Sequence, residues 1–567
     1  MIRVGAEAEG RKHASKCNHV NPDGFSSVVR LCNHLAVTEG LTTVWVHPSH
    51  RGVDVLANTT TSSRMSLRRV PVLVLTCVSL AGLEFGLQCR AGAYVALMAG
   101  QRARPLNGTF NNVPVLHSNQ PEIVTGPGIL VNTASGSAVA TESNQPLRNA
   151  TYTFDGEFGV HMHHKYYPQD QSKLGGRRSR GLMTLALIAT NPGSTPITLY
   201  FDRGSVKNSF EAPYHPNRLM GVKPLGKRPW NTGPGDATAV QLLRGELDRK
   251  LPQRVVISPG GRSVVVRTVL PARGIANGLL RGRSNGPFTM AVVAAEQSAQ
   301  DSDLFAVLQS GRLAPGRIYL NRIQEIQLGR VFSRVAGVAL GDAYKAEISH
   351  DLNHGPLHVP LTSTARHHFG TSDVQVNPLT TRMIDSALNN VGTYGVRYDV
   401  SLNLSGAGPH QLVLSHPVVS GKKTFTAFRG SLQIVQDRTL QEVHVGMRSG
   451  ESLALADLNL APGTSKAVRV SLVYPADATP GHLLSVVPVQ QLAMIHLRQQ
   501  QQRNAKLKIA DTKSRKVGPK TAPPPPETHS IVVKPAPVIP AVVPVTTPRY
   551  GDVIRSQQQW LLQLQGR

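Results

Sequence analysis

Cysteine is absent from most of this chain. All four cysteines lie before residue 94: Cys17, Cys32, Cys77 and Cys89. If the chain is cut near residue 94, the remaining protein can form no disulfide, cysteine zinc site or thiol nucleophile. An exported protein of this size does not need disulfides, because its cores can be large enough to be stable without them.

Acidic residues are also scarce. The 567 residues include 61 Lys and Arg against 34 Asp and Glu, which gives a formal net charge of +27. Such an excess indicates an anionic partner, although it can also serve only to keep a protein soluble. Aromatic residues make up 5% of the chain and do not interleave with basic ones, as they do in proteins that bind single strands. We therefore expect an anionic cell-envelope polymer or an outer-membrane component as the partner, rather than nucleic acid.

Two short motifs that mark common active sites are missing. There is no His-Glu-x-x-His helix and no Gly-x-x-x-x-Gly-Lys-Ser/Thr phosphate loop. Because acids are few, a pair of catalytic carboxylates cannot be picked out. The sequence predicts no catalytic residue and favours a protein that is not an enzyme.

An export signal is predicted inside the chain rather than at its start. Arg68 and Arg69 precede an apolar run over 70–83, and Ala91-Gly-Ala93 offers a cleavage site before Tyr94. We expect 65–93 to be a signal peptide and 1–64 to be a spurious N-terminal extension. A buried strand or helix and an uncleaved anchor are the alternatives. After cleavage the protein would have no transmembrane span. It would be located in the periplasm or the outer envelope, or be secreted.

The pattern after residue 94 is typical of an all-β protein. Short runs of alternating apolar residues are separated by Pro-Gly, Asn-Gly and Gly-Ser turns. One helical candidate lies at 304–308, after Asp301 and Asp303, which indicate the start of a helix.

An internal repeat divides this region in two. A strand–turn–strand phrase occurs at 181–200 and again at 395–414, and a Pro-Gly turn feeding a strand occurs at 259–272 and 462–476. We predict two immunoglobulin-like β-sandwich modules, the first over 94–330 with its flanking loops and the second over 331–490. The alternative is that both phrases are common hairpin patterns.

The composition changes again near residue 491. Glutamine and basic residues are followed by a proline-rich series and by an apolar helical stripe over 551–567. Proline at this density favours an extended spacer. We predict that 491–567 is a basic, proline-rich disordered tail with a short terminal helix, which either docks on a partner or is a frayed end.

A histidine-rich segment is the best candidate for chemistry. If 152–165 is a strand, Phe158, Val160 and Met162 share one face, and His161 and His163 share the other with Asp155 and Glu157. Two histidines in this pattern can ligate a metal, so His161 and His163 are the candidate metal ligands, with no other cofactor predicted. The alternative is the solvated polar face of an edge strand. Three more histidines are expected in loops: His350, His354 and His358.

Five phrases together resemble a known family. They lie at 112–122, 156–164, 233–245, 334–339 and 474–480. In these phrases the chain resembles an exported cyanobacterial protein family of unknown function (domain of unknown function 3370) over about residues 94–490. The resemblance implies a photosynthetic bacterial source and an envelope location. It implies no activity, substrate or catalytic residue.

Three hypotheses for the function follow. The first is a non-enzymatic exported cell-envelope protein that binds or scaffolds an anionic envelope component. The second is a metal-dependent hydrolase of envelope or extracellular polymer that uses His161 and His163. The third is an assembly subunit of an outer-membrane machine that docks through its C-terminal helix. An open groove lined by Arg and Lys would favour the first, and a third metal ligand in a cleft would favour the second.

Overall fold

The computed structural model describes residues 103–516, except 176–179, 216–218, 229–230, 298–299, 332–333, 418–424 and 477. The predicted extension over 1–64, the signal peptide over 65–93 and the tail beyond 516 lie outside the described residues. In the part that is described, no helix has the length and apolar character needed to cross a membrane.

Strands dominate the described residues, as predicted for an all-β protein. The strands of the first half are β1 (Thr109–Phe110), β2 (Pro114–Ser118), β3 (Ile123–Val124), β4 (Gly128–Asn132), β5 (Ser137–Val139), β6 (Pro146–Arg148), β7 (Glu157–Tyr166), β8 (Leu182–Thr190), β9 (Ile197–Asn208), β10 (Gly221–Pro224), β11 (Arg254–Ile257), β12 (Arg262–Pro271), β13 (Ile275–Ser284) and β14 (Thr289–Glu296). Those of the second half are β15 (Ala336–Leu340), β16 (Ala343–Asp351), β17 (Leu357–Leu361), β18 (Leu379–Arg382), β19 (Arg397–Ser405), β20 (Gly408–Ser415), β21 (Thr426–Gln436), β22 (Thr439–Arg448), β23 (Ser452–Leu460), β24 (Ser465–Val473) and β25 (His482–Pro488).

Four α-helices accompany these strands in the described residues. They are α1 (Pro234–Leu243), α2 (Asp301–Gln309), α3 (Ile323–Gln327) and α4 (Val489–Lys516). Helix α2 confirms the candidate at 304–308, and Asp301 and Asp303 occupy its first turn. Acidic side chains are favourable there because the N-terminal end of a helix carries a partial positive charge.

The first core lies between two sheets. An eight-stranded sheet runs in the order β11-β9-β13-β7-β2-β15-β18, with β3 paired to β7, and a four-stranded sheet runs β12-β8-β14-β4. Their facing side chains form one apolar cluster that includes Phe158, Val160, Ile188 and Val292. Burial of this apolar area is the main source of the stability of the core.

The second core has the same two-sheet construction. A seven-stranded sheet runs β1-β16-β19-β24-β21-β22-β10, and a four-stranded sheet runs β17-β25-β20-β23. Tyr398, Leu432, Val470 and Leu484 belong to the apolar cluster that joins them.

The strand pairing reproduces the repeat found in the sequence. The order β11-β9-β13-β7 in the first core corresponds to β23-β20-β25-β17 in the second. The two strands that follow the Pro-Gly turns also correspond, because β12 pairs antiparallel with β8 and β24 pairs antiparallel with β19. The repeated phrases therefore specify equivalent strands.

Strands cross the predicted boundary at residue 330. Strands β15 and β18, from the second predicted module, extend the large sheet of the first core. In return, β1 and β10 from the first predicted module form the two edges of the large sheet of the second core. The two cores are therefore interlaced by the chain.

Helix α4 corrects the prediction that the tail is disordered from residue 491. Residues 491–516 belong to this helix. Leu492 and Ile495 anchor its first turns against Val413 and Val487 of the second core. The segment is rich in Gln, Leu, Lys and Arg, which have high helix propensity, and proline first appears after it, at 519.

Candidate functional site

Helix α1 lies between the large sheets of the two cores. It contacts β9 and β13 on one side and β21 and β24 on the other. Proline at the first helical position and Gly245 with φ of 71° just past the end define its length. All ten residues of the helix are buried, so its full circumference is used for packing.

The apolar contacts of α1 join both cores. Ala239, Leu242 and Leu243 form a buried cluster with Leu279 of β13 and Val473 of β24. Because the cluster draws on both large sheets, it fixes the position of the helix between them.

Polar side chains of the same helix also form hydrogen bonds to both cores. The Asp236 carboxylate accepts hydrogen bonds from Ser431 Oγ at 3.1 Å and His444 Nδ1 at 3.0 Å, on the side of the second core. On the other side, Thr238 Oγ1 accepts a hydrogen bond from Asn277 Nδ2 of β13. Buried polar groups of this kind favour one arrangement of their partners, because each is costly to leave unbonded. We call this layer between the two large sheets the polar interlayer.

The histidine strand β7 lies inside the large sheet of the first core. It pairs with β13 on one side and with β2 and β3 on the other. The prediction that Phe158, Val160 and Met162 face the core is confirmed. The alternative of a solvated edge strand is wrong, since His161 is only 2% exposed and His163 only 3%. The second core and α1 cover the face that the sequence suggested was open to solvent.

Each of the two histidines already has a hydrogen-bond partner. His161 Nδ1 lies 3.2 Å from Nδ1 of His117, its register partner on β2. His163 Nδ1 lies 3.0 Å from Oδ1 of Asn277 on β13. Burial, together with Arg281, lowers the pKa of His117 to about 3, and burial lowers the pKa of His161 well below 6.5. The imidazoles of His117 and His161 are therefore neutral near pH 7.

The metal prediction for His161 and His163 gains no third ligand from the described residues. Within them, no group of three or more His, Cys, Asp or Glu side chains is arranged to hold a metal ion. The two-histidine site stays a prediction. The loop prediction is wrong for His350, which lies on β16, and for His358, which lies on β17 and is buried.

A polar cleft of about 490 Å³ opens beside the interlayer. Strands β1, β9, β13, β16 and β19 and the end of α1 contribute to its walls. Its charged lining residues are Arg203, Arg281, Lys345 and Arg397 with Asp342 and Asp399. Four cations against two carboxylates leave an excess of two positive charges.

Two of these arginines are direct neighbours across a strand pair. Arg203 of β9 and Arg281 of β13 are register partners. Like charges in this position repel each other and destabilise a sheet. Burial lowers the pKa of Arg281, Asp342 opposes that shift, and Arg203 adds to it. The cleft therefore holds a cation pair that an anion would stabilise.

The acidic residues of the cleft are bound to two of the four cations. Arg281 is paired with Asp342 through Nε, and its other nitrogens donate to the carbonyl oxygens of Leu280 and Gly395, each at 2.8 Å. Arg397 is paired with Asp399 at 2.8 Å. These contacts hold both guanidinium groups in fixed positions.

The other two cations lie at the exposed side of the cleft. Arg203 and Lys345 are both exposed. Within the described residues, neither of them forms an ion pair. The positive charge of the cleft is therefore graded, from fixed and paired groups inside to exposed groups at the opening.

Sequence reasoning missed this cleft. Its residues come from segments up to 290 positions apart, from Thr109 to Asp399, and the pairing of β9 with β13 cannot be seen without the fold. One local signal was present, because Arg397 and Asp399 stand two apart on a predicted strand and so share a face.

The fold defines an all-β protein with two interlaced cores and a basic cleft beside a buried polar layer. The chain belongs to the family of proteins of unknown function called DUF3370, whose model matches residues 101–488. No curated protein matches the chain.

The similar solved structures are distant. A tryptophan-to-tyrosine variant of oxalate decarboxylase from Bacillus subtilis is 9% identical, with 66% of this chain and 80% of that chain covered, at a TM-score of 0.08. A second structure of the same Bacillus subtilis enzyme is 8% identical, with 67% and 78% covered, also at 0.08. These TM-scores are too low to indicate a shared fold.

Proposed function

We propose that this protein is a non-enzymatic exported envelope protein that binds an anionic polymer in the cleft beside the polar interlayer. The observation that carries the proposal is the cluster of Arg203, Arg281, Lys345 and Arg397 on the walls of one cleft. An open groove lined by basic residues is the feature that separates polymer binding from the other two hypotheses.

The arrangement of the cations suits an anionic group on a chain. Repulsion between Arg203 and Arg281 is present in the unbound protein, and a carboxylate or phosphate between them would replace it with attraction. Arginine offers two parallel N–H donors to such a group. Lys345 and Arg397 line the same cleft, so it offers more than one cation to the anionic groups of one polymer.

The overall charge supports the same partner. Residues 94–567 contain 51 Lys and Arg against 28 Asp and Glu, and this net charge of +23 attracts a polyanion over distances longer than a direct contact and raises the rate of association at low salt. The predicted signal peptide over 65–93 would bring the protein to the envelope, where such polymers occur. The proposal also includes the fold of the two cores, which we take to be immunoglobulin-like sandwiches. It further includes a periplasmic or secreted location and a cyanobacterial origin.

The cleft is tested by a binding titration with polygalacturonate as the polyanion and neutral dextran as the reference. Replacing both Arg203 and Lys345 by Gln removes two exposed cations from the opening. We expect affinity for polygalacturonate at low salt to fall about tenfold, since two exposed ionic contacts contribute roughly 1.4 kcal/mol together.

The matched control removes two positive charges from the surface outside the cleft. Arg254 on β11 and Arg262 on β12 are exposed and do not line the cleft. Their double replacement by Gln should change affinity less than twofold. Equal losses in both double variants would show that net charge, and not the cleft, binds the polymer.

The export part is tested separately. N-terminal sequencing of the native protein should begin at Tyr94 or within a few residues of it, because the basic, apolar and small residues before it have the order of a cleaved signal. Peptides from 1–60 in the mature protein would contradict this part without affecting the cleft.

A further inference from the structure

A second cavity, of about 230 Å³, has a different character from the cleft. The two share no lining residue. Ile326, Val331 and Tyr394 are buried in its wall, whereas Val374 is 48% exposed and lies at the side open to solvent. Apolar surface therefore leads from the solvent into the protein at this place.

The titratable side chains of this cavity other than tyrosine are all basic. Arg330, Arg366 and His367 line it, and no Asp or Glu is found among its lining residues in the part of the chain that the structure describes. The carboxylate of Glu325, near Arg330, is bonded to Arg322 instead. Burial, followed by the charge of Arg366, lowers the pKa of His367. A positive potential at an apolar cavity is complementary to a ligand that has an apolar body and an anionic end.

The size of the cavity limits that ligand. A cavity of about 150 Å³ holds a benzene molecule, so a cavity somewhat larger takes one ring or a short hydrocarbon chain. Sites for drug-sized ligands begin at about 300 Å³. A lipid with two long chains therefore exceeds the space inside.

The wall of the cavity is held in place before any ligand arrives. The Tyr394 hydroxyl donates a hydrogen bond of 3.0 Å to the carbonyl oxygen of Ala478, and its ring packs near those of His161 and Tyr474. A rigid wall reduces the ordering that binding would otherwise require.

We propose that this cavity is a binding site for a small amphipathic monocarboxylate. The apolar chain or ring enters among Ile326, Val331 and Tyr394, and the carboxylate stays at the opening beside Arg330 and Arg366. The site is independent of the polymer cleft, so the protein has two separate sites for anionic ligands of different kinds.

The proposal is tested by calorimetric titration of the full-length protein with octanoate. We expect a Kd of about 0.1–1 mM, since burial of about six methylene groups and one methyl group is offset by the loss of ligand freedom. Octan-1-ol, which has the same chain without the charge, should bind about tenfold more weakly. Equal binding of the two probes would overturn the role of the arginines, and absence of octanoate binding would overturn the site.

A pair of variants locates the binding. Val374→Trp places a larger side chain at the opening and should weaken octanoate binding at least tenfold. Leu440→Trp makes a comparable change at an exposed residue that does not line the cavity and should leave it unaltered. If both variants bind octanoate like the original protein, the cavity is not the site.

His367, at the opening, provides a second measurement of binding that is independent of calorimetry. Bound carboxylate should raise the pKa of His367, because a nearby negative charge favours the protonated imidazole. The shift is measured from the ring proton resonances during a pH titration with and without octanoate. Polygalacturonate binding should be unchanged in Val374→Trp, which separates failure of this site from failure of the cleft.

Discussion

The two cores carry the same histidine contact at equivalent strands. In the first core, His163 of β7 bonds to its register partner Asn277 of β13 at 3.0 Å. In the second, His358 of β17 bonds to its register partner Ser485 of β25 at 2.8 Å. The repeat therefore extends from the order of the strands to a buried polar pair inside each sheet.

The surroundings of the two pairs differ. Asn277 bonds onward to Thr238 of α1, so the first pair is part of the polar interlayer. The four-stranded sheet of the second core ends at β17 in the described residues, whereas the sheet of the first continues past β7 to β2, β15 and β18. The repeat thus provides two similar scaffolds, and the segments outside it join them.

The largest expected effect comes from separating the cores. A fragment of residues 103–330 lacks β15 and β18, and a fragment of 331–516 lacks β1 and β10. We expect neither fragment to show a cooperative thermal transition by circular dichroism, because each has a large sheet with missing strands. A sharp transition in either fragment would show that the core can close without strands from the other half.

Acid should destabilise the whole protein. Burial lowers the pKa of His117 and His164 to about 3 and of His358 to about 4, from 6.5 in the unfolded chain. Below pH 6.5 the unfolded chain therefore binds more protons, and the free energy of unfolding falls until the pH reaches about 3–4. At pH 5 each of these three histidines should have lowered the free energy of unfolding by roughly 2 kcal/mol. Urea unfolding at pH 7, 6 and 5 measures this, and equal stability at all three would contradict the burial of the neutral rings.

A buried ion pair should come next in size. Arg317 and Asp385 are both 0% exposed, and Arg317 Nη1 lies 2.9 Å from each carboxylate oxygen. Arg317→Ala leaves the buried carboxylate without its arginine counter-charge and should cost about 3–5 kcal/mol in the free energy of unfolding. Arg322→Ala breaks an exposed pair with Glu325, which water screens, and should cost far less. Similar losses in both variants would mean that Asp385 is hydrated in the folded protein.

The smallest effect tests the equivalence of the two histidines. His163→Leu and His358→Leu should each cost about 1–3 kcal/mol, because Asn277 and Ser485 lose a buried partner. The loss at His163 should be the larger, since Asn277 belongs to the polar interlayer. Denaturant titration of the two variants compares them directly, and a greater loss at His358 would reverse this ranking.

Much of the β architecture could be predicted from the sequence. Alternating apolar residues and Pro-Gly turns identify β12 and β24, and the face shared by Phe158, Val160 and Met162 follows from the two-residue period of a strand. These are local patterns. Whether the opposite face meets solvent or another layer depends on distant segments, which explains why the burial of His161 and His163 was not foreseen.

Helix α1 shows a second limit. A helix that is buried on all sides has no polar stripe, so it lacks the amphipathic period by which short helices are found. The basic cleft was hidden for another reason, because Arg203 and Arg281 become neighbours only through strand pairing.

The position of β1 affects how the chain can fold. The hydrogen bond from the Gly108 amide to the Tyr344 hydroxyl joins residues 236 positions apart, and that from the Leu106 amide to Asp373 joins residues 267 apart. Contacts of such long range slow folding, because most of the chain must be ordered before they form. Strand β1 is synthesised before the first core but pairs with β16 of the second, so it stays unpaired and exposed to aggregation until that strand has been made. Deletion of 103–111 should destabilise the second core more than the first, because β1 pairs with β16 of the second core.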